Sequence, residues 1–181
     1  MGVLSEVSLK VQAIPETAAC VLLDGLDDTA AVAAMSKALG SPYDITGAAH
    51  APVGVDGHPV TMIRIEGLEA SVSYRAEKLT ALFADSGASI RVERDSSKVA
   101  DGWAWVRDVA LMQGGANPVW RLSVKPSDAP GIVAGLREGH PDIKVLYDWG
   151  GGLLWIEAPE GVDLRAGGIA GHASEALTTV A

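Results

Sequence analysis

Cysteine, basic residues and long apolar runs are all scarce in this chain, and each scarcity excludes something. The single cysteine, Cys20, has no partner for an internal disulfide and cannot supply a multi-cysteine zinc or iron–sulfur site. It stands in an apolar run and reads as a buried structural thiol. No stretch reaches the ~20 apolar residues of a membrane helix. The opening MGVLSEVSLK lacks the basic-then-apolar plan of a secretory signal. The expectation is a soluble, cytoplasmic protein with no transmembrane segment. Lys and Arg number 14 against 23 Asp and Glu, a net charge of −9. That balance argues against a nucleic-acid partner, which needs a concentrated positive face.

Recognisable catalytic motifs are missing as well. GLDD, GGANP and WGGGL lack the spacing and following helix of a phosphate-binding glycine loop. There is no HExxH, CxxC or paired-histidine pattern, and no metal site is expected. No serine sits in a GxSxG elbow. His50, His58, His140 and His172 are scattered beside turn residues and read as exposed loop histidines.

What the chain does contain is a regular alternation of elements. Its 181 residues, 48% hydrophobic, suffice for one ordinary domain or two small ones. Residues 5–12 alternate polar and apolar and read as an edge or linking strand closed by Pro15. Residues 19–23 suit a buried strand. Asp27, Asp28 or Thr29 caps a helix carrying Val32, Met35 and Leu39, stopped by Gly40 and Pro42. A weaker strand around 43–49 follows, then a strand over 60–67, a helix over 69–85 and a strand over 88–95. After a tryptophan-bearing connector the order recurs. There is a strand at 119–126 and a helix begun by Ser127 or Asp128 with Pro130 in its first turn. Two strands then flank the Gly150–Gly152 hairpin, before a short helix near 162–170 and a final strand in ALTTV. The fold class expected is α+β: two tandem ferredoxin-like (βαββαβ) halves, about 17–95 and about 117–181. They would form an antiparallel sheet, in one piece or two, backed by helices.

Five tryptophans against one phenylalanine is an unusual division of aromatics. Indole suits both cores and flat ligand walls. Trp103 and Trp155 favour the core, whereas Trp149, beside three glycines, is open between core and pocket. On the strand VWRLSV, Arg121 shares a face with Val119 and Ser123, opposite Trp120 and Leu122. Its guanidinium suits a carboxylate clamp, and equally a solvated face or a salt bridge. Arg64, alternating with Glu66, carries the same ambiguity.

Taken in order, LSEVSLKV, PYDITGAAHAP, IRIEGLEASVSYRAEKL, WAWVRDV, VWRLSVKPS and YDWGGGLLWIEAP resemble the C-terminal part of the glycolate oxidase FAD-binding subunit. That family belongs to the vanillyl-alcohol-oxidase-type FAD-linked oxidases. The resemblance implies that residues 1–14 are the strand leaving an upstream FAD-binding domain, and that 15–181 form the cap or substrate domain over the flavin. It implies FAD in the full-length protein and none held by this chain alone. The reaction would be hydride transfer from C2 of a small 2-hydroxy acid to the flavin. Carried over by residue, Arg121 becomes a carboxylate-clamp candidate, with Trp120, Asp148 and Trp149 as pocket or flavin-facing groups. Implied partners are a second flavin subunit and an iron–sulfur subunit, which would place the protein peripherally at the inner membrane. The alternative is a non-catalytic ferredoxin-like assembly module that docks on a flavin or iron–sulfur partner. The ending GGIAGHASEALTTVA departs from the family's glycine–histidine–alanine-rich terminal strand.

Overall fold

A computed structural model describes residues 5–9, 11, 13–159, 162 and 164, together with the backbone of 178–180. Strand β1 (Thr17–Asp24) alternates cleanly. Ala19, Val21 and Leu23 face one core, while Ala18, Cys20 and Leu22 face another. Helix α1 (Asp28–Leu39) begins where the Asp27 carboxylate accepts the amide of Ala30 at 2.8 Å, and it buries Ala31, Val32, Met35 and Ala38.

Strand β2 (Gly47–Ala51) starts later than the pattern suggests, because Tyr43–Thr46 turn instead, with Asp44 at φ 47°. The cause lies in helix α2 (Glu69–Leu82). Its buried Arg75 donates to the carbonyls of Tyr43 and Asp44 at 3.1 Å each and to Glu66 at 2.7 Å. Carbonyls tied to a guanidinium are not free for a ladder. Strand β3 (Val60–Gly67) pairs with both β1 and β2, and β4 (Ser89–Glu93) pairs with the far side of β1.

The expected connector contains a helix, α3 (Ser96–Arg107), whose cap Asp95 accepts the amides of Ser97 and Lys98. Strand β5 (Val119–Ser123) follows. A 3-10 turn over Pro126–Asp128 then leads into α4 (Ala129–Gly139). Neither Ser127 nor Asp128 caps α4. They bond each other, Oγ to Oδ1 at 3.0 Å, and the preceding 3-10 turn occupies the position where a side-chain cap would act. Strands β6 (Lys144–Asp148) and β7 (Leu153–Glu157) flank a tight turn with Gly150 at φ 66° and Gly151 at φ 97°. The backbone at Thr178–Val180 forms β8 on β5. The helix expected near 162–170 lies outside the described residues, apart from 162 and 164.

The result is an α+β fold built on one eight-stranded antiparallel sheet, ordered β4-β1-β3-β2-β6-β7-β5-β8. The two quartets repeat one strand order in opposite senses and meet where His50 of β2 pairs with Tyr147 of β6. Helices α1, α2 and α4 bury one face in a core running through both quartets, from Val21, Ile63 and Ile65 to Leu122, Leu154 and Ile156. Of the described α-helices, α3 lies on the other face, over Cys20, Met62 and Leu146. Residues 5–9, 11 and 13–15 have no regular structure, so the expected strand does not form there. Val7, Leu9, Val11 and Ile14 are exposed. No helix among the described residues is long and apolar enough to cross a membrane.

Candidate functional site

Helix α3 divides its face of the sheet into two depressions, and Trp103 lines both. The first, about 530 Å³, sits at the joint between the quartets. Its floor is Gly47 of β2, Asp148 of β6, Leu153 and Trp155 of β7, and Arg121 of β5. Strand alternation sends all of these to the same face. Trp149 in the β6–β7 turn and Trp103 of α3 form its walls.

The local sequence fixes these walls. The six-membered ring of Trp103 lies against Gly47, where a Cβ would run into it. The Arg64 guanidinium stacks over the same indole at 4.4 Å and pairs with Glu66 at 3.4 Å. Trp149 is thrown outward by a positive φ of 52° and is 62% exposed, because the turn pins its amide to the Asp148 carboxylate at 2.7 Å. The Gly150 beside it packs on Leu39, and its φ of 66° is what favours glycine there.

Arg121 is the chemical centre of this cavity. Its guanidinium carbon lies 5.3 Å from the Trp149 ring and 5.9 Å from Trp155, within cation–π reach of both. No carboxylate among the described residues stands within 4.0 Å of it; Arg64, Arg75, Arg91, Arg107 and Arg137 all have one. Asp148 is the cavity's acid. Burial, the largest influence, pushes its carboxyl above the ordinary range, against the Trp149 amide and the Arg64 charge, which pull it down. An unmatched cation, a reluctant carboxylate and three indoles therefore share one space.

Of the sequence candidates, Arg121, Asp148 and Trp149 converge here and Trp120 does not. Trp120 is 5% exposed in the helix-side core, because adjacent strand residues point to opposite faces. Trp103 and Trp155, both expected in the core, are half-buried: they pack against the α3-side core and also line the cavity, and Trp103 does so from a helix where a connector was expected. The signal for Trp103 was present: the Asp95 cap precedes Val99, Trp103 and Val106 at helical spacing.

The second depression, about 580 Å³, lies across α3 and is floored by Cys20, Leu22, Val60 and Met62. Burial pushes the Cys20 thiol up to about 12, so it is no thiolate nucleophile at neutral pH. Arg91 at its edge is committed to Asp24, with its Nε at 2.8 Å.

One polar cluster lies on the helix side. His50, expected in an exposed loop, is instead fully buried in β2. Its Nδ1 meets Thr61 Oγ1 at 2.9 Å and its Nε2 lies 3.5 Å from Asp28 Oδ1. Tyr147 Oη and Arg137 each donate to Asp28 Oδ2 at 2.7 Å. Thr61–His50–Asp28 has the composition of a nucleophile relay, yet Thr61 and His50 are 0% exposed and line neither depression. The cluster joins the quartets: Asp28 and His50 come from the first, and Arg137 and Tyr147 from the second.

Neither a protein-family model nor a curated protein matches this chain.

Proposed function

We propose that this chain is the cap portion of an FAD-linked 2-hydroxy-acid oxidase subunit, and that its two quartets are tandem ferredoxin-like halves. The observation that carries the reading is the convergence of Arg121 from WRLS with Asp148 and Trp149 from YDWGGG in one cavity. These are the motifs on which the resemblance rests. Arg121 would bind and orient a carboxylate through its planar fork, and the indoles would exclude water. Asp148 would accept a hydrogen bond from the 2-hydroxyl and hold its proton.

The fit to the cofactor is partial, and it supports a cap. The exposed indole of Trp149 suits one face of a flat ring. A pyrophosphate has no place among the described helix N-termini, since Asp27 and Asp28, Glu69, Asp95, and Asp128 stand at the four starts and repel it. Bound FAD would supply the hydride acceptor, and the residues of this chain would position what donates the hydride.

The test is purification of the intact polypeptide that carries this chain in its native cell. It should carry FAD, and glycolate or lactate should bleach the flavin absorption without oxygen. A colourless protein that takes up no FAD sinks the oxidase reading. If that protein co-purifies with a flavin or iron–sulfur partner, the chain is the assembly module instead.

A further inference from the structure

The Arg121 cavity is far larger than a C2 or C3 acid requires. At about 530 Å³ it falls within the ~300–1,000 Å³ range of pockets that enclose drug-sized ligands, whereas glycolate has a handful of non-hydrogen atoms. Its lining is also wrong for so small and polar a molecule. Trp103, Trp149 and Trp155 present ring surface, and Leu39, Ile45 and Leu153 add apolar side chains. Water would fill the remainder around glycolate, with few polar groups to hold it.

We infer that the cavity takes an aromatic 2-hydroxy acid: its carboxylate on Arg121, its hydroxyl on Asp148 and its ring against the indoles of Trp103 and Trp155. The charge arrangement selects the anion. Arg121 lies within cation–π reach of two rings and has no carboxylate within 4.0 Å among the described residues. The two other arginines nearest this space are already matched, Arg107 to Asp108 at 2.7 Å and Arg64 to Glu66. The walls select the ring. Trp103 is seated on Gly47, and Arg64 backs its indole, so a flat surface stands in place before a ligand arrives. This inference rests on reading the cavity as a 2-hydroxy-acid site and narrows the class of acid.

Binding to the 181-residue chain itself tests it, followed by tryptophan quenching and calorimetry with phenyllactate, indole-3-lactate, glycolate and uncharged 3-phenyl-1,2-propanediol. The aromatic acids should bind about tenfold or more tighter than glycolate, and the diol should lose most of the affinity. Arg121→Met should abolish the preference for acid over diol, and Trp155→Leu should weaken phenyllactate by a larger factor than glycolate. Equal binding of glycolate and phenyllactate overturns the inference, as does a diol that matches the acid. If a variant fails to fold, the ligand series on the parent chain still decides. Failure here is separable from failure of the oxidase reading. An intact flavoprotein bleached by glycolate, with a chain that ignores aromatic acids, removes only this inference. A chain that binds phenyllactate through Arg121, in a polypeptide without flavin, removes only the oxidase.

Discussion

Asp28 is the residue on which the joint between the quartets depends. One carboxylate takes the Tyr147 hydroxyl, the Arg137 guanidinium and the approach of the buried His50 ring. Asp28→Ala strips all three of their acceptor and should cost about 2–3 kcal/mol, read as a lowered urea midpoint with an unchanged slope. Burial alone would raise this carboxyl. The bonds from His50 and Tyr147 and the charge of Arg137 outweigh it and hold the group below its ordinary 3.8. A depressed acid contributes stability above its unfolded value and loses it as pH falls through the folded one. The parent should therefore weaken below about pH 4 more steeply than Asp28→Asn. Asp148 runs the other way. Its raised carboxyl is least at ease when ionised, so Asp148→Asn, which keeps an acceptor for the Trp149 amide, should raise the melting temperature at pH 7. A fall at pH 7 would show that the ionised carboxylate has a stabilising partner.

Helix α3 is the element that turns a bare sheet face into two cavities, and two glycines test how it is held. Gly47 lies under the Trp103 ring, so Gly47→Ala must push the indole off its seat; about 1–3 kcal/mol of stability and the near-ultraviolet signal of the seated ring should go with it. Gly102, inside α3, faces open space, and Gly102→Ala should stabilise by about 0.5–1 kcal/mol through helix propensity. Two additions of one methyl, of opposite sign, should appear in thermal melts. The same helix marks the limit of what the sequence makes legible. Strands β1, β3 and β5 and helices α1 and α2 follow from apolar period and caps. Helix α3 carries an Asp95 cap and helical spacing, but two tryptophans and a mid-helix glycine blur its stripe into a connector. The late start of β2 was illegible for another reason. Arg75, 32 residues from Tyr43, takes the carbonyls of the turn, and no local pattern reports such a contact. His50 was misplaced likewise, since its burial depends on Asp28 and Thr61 from other elements. Arg121, Asp148 and Trp149 were readable one by one, and their meeting required the strand order.

At the scale of the whole molecule, the described residues put three helices on one face of the sheet and α3 on the other. The proposed cap role would use that asymmetry, with a packed back and a cavity-bearing front. The front offers rings, a guanidinium and a carboxyl, and an acid stands at each of the four described α-helix starts. A net charge of −9 adds a general repulsion of polyanions. Under the proposed function the isoalloxazine ring would meet the exposed Trp149 indole, while the pyrophosphate would meet an acid at each described helix start. The isolated chain should accordingly bind FAD no tighter than riboflavin, in the range of ~0.1 mM or weaker, because most contacts that offset the loss of translational and rotational freedom are lacking. Flavin fluorescence titrations with riboflavin, FMN and FAD measure this directly. Equal affinity across the three assigns the ring to this chain and the phosphates elsewhere. Nanomolar affinity for FAD with none for riboflavin would place a phosphate site here and end the cap reading.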